Sequence, residues 1–489
     1  MSTLKNLFKQ TFIYGLATVL PRVLTVFLTW LLTTYLDTEK DFGEVSILFS
    51  YMLLLNVLLT YGMETAFFRF YSDKNESKNT LSTSLWTVSI TTIIFVILSF
   101  LFLNQIASIT AMDSKYWRWV IAIVAFDTLM VIPFAYMRAQ GKAMKYAIIK
   151  LVNVIISVSV SALFLIATQK MTTSFAWLPT DKKELYFIAF AFASLLTLFI
   201  VIKPYFSKFF IDTFLLKKML RFSWPILVAG FAFAINEAFD KVLLQWLLNL
   251  SEEAAIEQVG IYTACYRLAI GMTLYATAFR LGVEPFFFSQ SKEKNAMEQY
   301  GIITKVYVVL GAIAMFVYIV LLDLIKPLLV SKPSYWVAMD ITPLVIFAFF
   351  FFGIYQTLSV WYKVTDKTKY GAYISVIGAI LTIVVNVIWI PIIGYMASAY
   401  ATCGAYGLMM IISYLMGRKQ YPIPYDLKNI LLYIVLSISF SCIFFYILRD
   451  YFGIGSLQLY LAGIAMTLIL IGIIGYKEKR LIQSLIPKK

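Results

Sequence analysis

Histidine is absent from the 489-residue chain, and with it the commonest general base and metal ligand. No Ser-His or Cys-His nucleophile can be assembled, and no His-ligated zinc site. Cysteine is scarce. Cys265, Cys403 and Cys442 all lie within apolar runs, which excludes a disulfide framework and a CxxC redox site. Charge is thin too: 14% of residues are Asp, Glu, Lys or Arg, against about 25% in an ordinary soluble domain.

Hydrocarbon takes their place, with 61% hydrophobic residues and a mean hydropathy of +0.82. An apolar run of about 18–20 residues crosses the core of a bilayer. Fourteen such runs can be placed, at roughly 11–36, 42–66, 80–103, 116–139, 145–168, 185–203, 221–250, 259–283, 300–325, 338–362, 370–392, 394–416, 427–448 and 456–476. They are continuous and lack the two-residue alternation of barrel strands, so the expected fold is an all-α polytopic membrane protein. The run after "MSTLKNLFKQ" is too long for a signal-peptide core and lacks a small-residue cleavage site, so it reads as the first span.

The formal net charge of +15 has a side. "KKMLR" at 217–221 and "KEKR" at 477–480 fall on the side of the N-terminus, while "SEEAAIEQ" after the seventh span carries glutamates and no base. The positive-inside rule then places both termini in the cytoplasm. It also accounts for the basic balance without nucleic acid, for which no soluble module exists.

The chain repeats itself. Residues 62–75, "GMETAFFRFYSDKN", and 282–295, "GVEPFFFSQSKEKN", share six of fourteen positions, Gly62/Gly282 and Glu64/Glu284 among them. "DFGEVSILFSY" at 41–51 and "QVGIYTACYRL" at 258–268 open the same two spans. Two six-helix lobes in parallel orientation are expected, at 1–210 and 211–420, with an added helix pair and basic tail at 421–489.

Charges left inside spans cost about 2.5–3.5 kcal/mol each on insertion scales, so they face protein or water. The bases are Arg22, Lys241, Arg267 and Arg280; the acids are Glu64, Asp127, Glu237, Asp240 and Glu284. On the first span Thr18, Arg22, Thr25, Thr29 and Thr33 form one narrow stripe. The stripe predicts the wall of a hydrated cavity; threonines bonding their own helix carbonyls is the plainer alternative. In "AFAINEAFDKVLLQW" at 232–246, Asn236, Asp240, Glu237 and Lys241 share one side of a helix. Glu237 and Lys241, four apart and acid first, suit an intrahelical pair. Asp240 is then left for a base such as Arg267, a proton or a coupling cation. Whether these charges are structural or functional stays open. Asp127 is either a protonatable coupling acid or a bond to a neighbouring helix. Arg280 and Glu284, four apart, read with Glu64 as structural pairs or gate latches at the cytoplasmic ends.

"YLDTEKDFGEVSILFSYMLLLNVLLTYGMETAFFRFYSDKN", "FSWPILVAGFAFAINEAFDKVLLQWLL" and "VGIYTACYRLA" resemble the oligosaccharide flippases, the O-antigen and capsule translocases, over nearly the full length. Their superfamily also holds the lipid II flippases and the multidrug and toxin extrusion transporters. The resemblance implies a polyprenyl-diphosphate-linked oligosaccharide moved between leaflets by alternating access, with Arg22, Lys241, Arg267, Thr18 and Thr25 facing its head group. It implies no cofactor beyond a coupling proton or sodium ion. The partners it implies are the lipid-linked oligosaccharide, membrane lipid and polysaccharide-assembly proteins. Five acids against four bases keep a cation-coupled drug exporter in view. A membrane polymerase or ligase would need a large external loop, and the longest here is about 169–184.

Overall fold

The computed structural model describes residues 24–479, apart from 73–76, 175–178, 207, 291–292 and 294. Among the described residues the chain is helical, with no strand. In order come α1 (Leu24–Tyr35), α2 (Glu39–Thr60), α3 (Met63–Tyr71), α4 (Ser77–Leu101), α5 (Leu103–Thr110), α6 (Ser114–Ala139), α7 (Ala143–Ser174) and α8 (Lys182–Val201). Then follow α9 (Thr213–Leu247), α10 (Glu252–Arg267), α11 (Ile270–Gln290), α12 (Ala296–Val320), α13 (Leu322–Leu329), α14 (Thr342–Leu358) and α15 (Val360–Val364). The chain continues through α16 (Lys369–Ile393), α17 (Met396–Gln420), α18 (Leu427–Ile443), α19 (Arg449–Phe452) and α20 (Leu457–Lys477).

Eleven stretches of the described chain are long and apolar enough to cross a membrane. The other three expected spans are 11–36, 221–250 and 259–283. Only α1 of the first is described, the second is the 35-residue α9, and the third is split between α10 and α11. The split falls at Leu268–Ala269, where the Tyr318 hydroxyl donates to the freed Leu268 carbonyl at 2.6 Å. Broken helices inside membranes persist where another group satisfies the backbone in this way.

The second span breaks as well, at Tyr61 (φ 32°) and Gly62 (φ 71°). A Cβ on Gly62 would sit 2.9 Å from the Ser223 carbonyl oxygen of α9, so glycine serves both the left-handed turn and the close approach. Its repeat counterpart Gly282 lies in the unbroken part of α11. The two copies therefore bend at different points, which the sequence repeat does not foretell.

Short polar side chains start the helices. Thr38 and Asp41 form a capping box on α2, and Asp113, Asp181, Asp212, Asp426 and Ser456 cap α6, α8, α9, α18 and α20. The loop acids thus have structural work. Links between helices obey the fourteen-span parity. Lys183 bridges Asp41 and Glu44, Lys40 meets Glu253, and Lys115 meets Asp181, all at ends that the count places on one side. Asn79 with Asp212, and Ser82 with Phe210, join ends on the other side.

Two compact units account for the chain: residues 1–263 with 371–398, and residues 264–370 with 399–489. In the first, α6 packs against α2, α4 and α8, and α9 packs against α2 and α3. Met63, Phe67, Leu85, Val88, Ile132 and Met219 belong to one of its core clusters, each at most 1% exposed. α2 and α10 cross through glycine. A Cβ on Gly43 would lie 2.0 Å from the Ile256 carbonyl oxygen, and one on Gly260 would lie 2.0 Å from that of Glu39. Each glycine meets the carbonyl four residues before the other, so the contact is locally two-fold symmetric.

In the second unit α12 is central, flanked by α11, α14, α18 and α20. Two ion clusters pin the last helices to it. At one end Lys305 bridges Asp426 and Glu478, both at 2.7 Å, and Tyr433 donates to Glu478 at 2.6 Å. At the other, Asp323 takes both Nε and Nη2 of Arg449 at 2.9 Å and Lys326 at 2.6 Å.

Candidate functional site

Polar groups within the membrane-spanning part of the first unit gather in two places. The first is on α9. Asp240 and Lys241 are 2% and 6% exposed. Lys241 Nζ donates to Asp240 Oδ1 at 2.9 Å, and the Tyr262 hydroxyl donates to Asp240 Oδ2 at 2.6 Å. The helical spacing favours Glu237 as the partner of Lys241; the structure shows Lys241 donating to the adjacent Asp240. Both carboxylate oxygens are answered, so Asp240 is not the leftover acid. Tyr262 belongs to the Gly-x-Tyr at 260–262, whose glycine makes the crossing with α2. One short motif thus supplies a close helix contact and a hydrogen bond to a buried acid. Asn236 continues the network, accepting from Thr382 at 2.8 Å and donating to the Ser375 carbonyl at 3.2 Å, both on α16. Ser398 in turn donates to Asn386 at 2.6 Å.

The second place is a chamber of about 500 Å3 among α2, α6, α7 and α8. Asp127 accepts from Ser194 at 2.8 Å there, and Asn153 donates to Thr197 at 2.8 Å. Lys150 stands over the Phe134 ring with Nζ 4.9 Å from its centroid. Its side chain is exposed, yet it lies within a membrane span and lines the chamber. A cation so placed requires water or a polar ligand beside it. Asn56 and Thr60 complete the polar wall, and Phe49 and Phe190 the aromatic one. Glu64 lines the chamber as well, so two carboxylates accompany the one ammonium. Lys150 went unnoticed in the sequence because it follows the start of its span by one and a half turns, where lysines are commonly interfacial.

At the ends of the repeated helices the two copies agree. Glu64 pairs with Arg138 at the end of α6, whose guanidinium also covers the rings of Phe68 and Tyr146. Glu284 pairs with Lys363 of α15 at 2.7 Å. The expected four-residue partner of Glu284 was Arg280. Instead, among the described residues, Arg280 Nε is buried without a hydrogen bond, as are the Tyr307 hydroxyl and Gln356 Oε1 beside the same small pocket. Spacing on one helix misled here because the base lay on another.

Thr18 and Arg22 lie outside the described residues. Thr25 is half-buried. Thr29 and Thr33 are buried and donate to the carbonyls of Thr25 and Thr29, both at 3.0 Å, so that part of the stripe is helix packing rather than a wet wall. Arg267 ends α10, exposed and, among the described residues, without an ion pair. Glu237 is half-buried on α9. Among the described residues no cluster of acids and cysteines could hold a metal ion.

Comparison with known proteins accords with this architecture. Residues 7–289 match the model of a family described as polysaccharide biosynthesis protein, and residues 250–388 match the MatE family. No curated protein sequence matches. Among solved structures, the lipid II flippase MurJ in an inward closed conformation aligns with a TM-score of 0.74 at 17% identity, over 96% of this chain and 100% of that one. An inward-facing multidrug resistance MATE transporter aligns with a TM-score of 0.62 at 13% identity, over 86% of this chain and 95% of that one. A MOP superfamily transporter from Pyrococcus furiosus aligns at 0.55 and 14% identity, over 83% and 94%. At such identities the shared property is the fold. With more than half of its length matched by one family model, the chain belongs to the polysaccharide biosynthesis protein family.

Proposed function

We propose that the protein is a flippase that carries a polyprenyl-diphosphate-linked oligosaccharide from the cytoplasmic to the outer leaflet of a bacterial inner membrane. The observation that carries this reading is the charged, polar chamber inside the first unit. Its ammonium, two carboxylates and carboxamides stand beside aromatic rings, a lining suited to a polar, hydroxyl-rich cargo. Two lobes at 1–210 and 211–420 rock about a central pathway, with 421–489 as the added pair. The internal repeat and the matched pairs Glu64–Arg138 and Glu284–Lys363 support that division.

Arg22 and Arg267 are the guanidinium groups proposed for the diphosphate, since their planar forks suit phosphate oxygens. Thr18 and Thr25 flank the first. Lys241, held by Asp240, reaches a head group only if that pair opens. Asp127 is the coupling acid for a proton or sodium ion, and its presence beside Ser194 also favours a second reading, a cation-coupled drug exporter. Assembly proteins of the polysaccharide pathway are the proposed partners.

Deleting the gene from its host separates the two readings. The flippase reading expects loss of surface polysaccharide, accumulation of its lipid-linked precursor and unchanged drug susceptibility. Wild-type protein restores export, whereas Lys150→Met, expressed to the same level, leaves it at least tenfold lower, about 1.4 kcal/mol of transition-state stabilisation. Normal polysaccharide with raised drug sensitivity would establish the exporter instead.

A further inference from the structure

A second recess, of about 450 Å3, opens where α6 turns into α7 and where α8 gives way to the short 3-10 turn Lys203–Phe206. Lys142, Lys145 and Lys203 line it, and among the described residues no carboxylate does. Lys142 donates to Gln140 at 2.7 Å. Lys145 and Lys203 are exposed and, among the described residues, make no hydrogen bond or ion pair. The nearby Arg138 is already committed to Glu64. Two ammonium groups therefore face the recess with nothing among the described residues to neutralise them.

The remaining wall is hydrocarbon. Ile200 is 49% exposed and Phe206 82% exposed. Phe209 and Phe214, just beyond, are 61% and 72% exposed. Aromatic rings bared in this way, interleaved with Lys203 and Lys208, mark a segment lying in the headgroup layer of a bilayer. Cations on one side and exposed apolar side chains leading into a span on the other describe the two ends of an amphiphile.

We infer that this recess binds an anionic phospholipid, its phosphate held by Lys142, Lys145 and Lys203 and its acyl chain laid against Ile200 and Phe206. Basic pockets between membrane helices on the cytoplasmic side take such head groups. Three separate point charges suit a phosphodiester that needs neutralising rather than the forked recognition that arginine gives a terminal phosphate. The site is distinct from the chamber around Asp127. It requires the chain to sit in a membrane but does not require its cargo to be a saccharide.

The test uses the full-length protein in a neutral detergent. Thermal unfolding is followed while phosphatidylglycerol, phosphatidylcholine or inorganic phosphate is titrated in. Phosphatidylglycerol is expected to raise the melting temperature saturably, and the other two are not. Replacing the lysines together (K142Q/K145Q/K203Q) is expected to raise the half-saturating concentration on the order of a hundredfold. Exchanging Lys217 and Lys218, outside the recess, for glutamine should leave it within about threefold, less than one kilocalorie-sized charge effect. If the triple variant does not fold, K145Q and K203Q are measured singly, each expected to weaken binding several-fold. An equal response to phosphatidylcholine overturns the proposal, as does a recess variant that binds like wild type. Saturation by inorganic phosphate alone would make the recess a free-anion site and overturn the lipid assignment. Export of polysaccharide is not read in this assay, so its outcome is independent of the flippase reading.

Discussion

Asp240 takes Tyr262 on one oxygen and Lys241 on the other, and all three side chains are buried. Removing one member of a buried ion pair leaves an uncompensated charge, at a cost of about 3–5 kcal/mol, whereas removing both can be far milder. Asp240→Asn and Lys241→Met are each expected to lower folded yield sharply. The double variant should recover most of that yield and most of the transport, as befits a packing device. A double variant that folds but does not transport would return Lys241 to the substrate pathway. The helical wheel told only which charges share a side; it could not tell that the adjacent acid would swing onto the ammonium. Tyr262 carried no signal beyond its place in a Gly-x-Tyr. The acids Glu64 and Glu284 were legible through the repeat, but Arg138 and Lys363 were not, because a partner on another helix is set by packing.

Among the elements, hydropathy alone places the spans, because a bilayer demands long apolar helices whatever their partners. The breaks at Tyr61–Gly62 and Leu268–Ala269 escape it. A break depends on a group from another helix reaching the freed backbone, as Tyr318 does, and no local pattern records that reach. The crossing of α2 with α10 tests the element scale directly. A methyl group on Gly43 or Gly260 would overlap a carbonyl oxygen at 2.0 Å, so the helices must separate to admit it. Overpacking of this kind costs about 1–3 kcal/mol. Gly43→Ala and Gly260→Ala should each lower the melting temperature of the purified protein. The pair together should cost clearly less than the sum, because one contact is lost only once. Strict additivity would mean that the glycines do not act as a unit.

At the scale of the whole molecule the proposed orientation makes a simple demand. Fourteen spans with the N-terminus inside return the C-terminus to the cytoplasm. A reporter fused after Lys489 should be active only if it works in the cytoplasm, and one inserted within 172–180 only if it works outside. A C-terminus found outside would require an odd number of spans. The side-by-side links at Lys183, Lys305 and Asp323 join helix ends of matching parity, which favours the even count.

The crossing of α2 and α10 also has a bearing on how such a chain could arise. Each glycine there meets the carbonyl four residues before the other in the same way, which is the property of an isologous contact, in which one surface recognises a copy of itself. A six-span half begins and ends on one side of the membrane. Two separate copies could therefore have paired through a single glycine before any gene fusion, and joining them end to end would have required no added span and no reversal of either half.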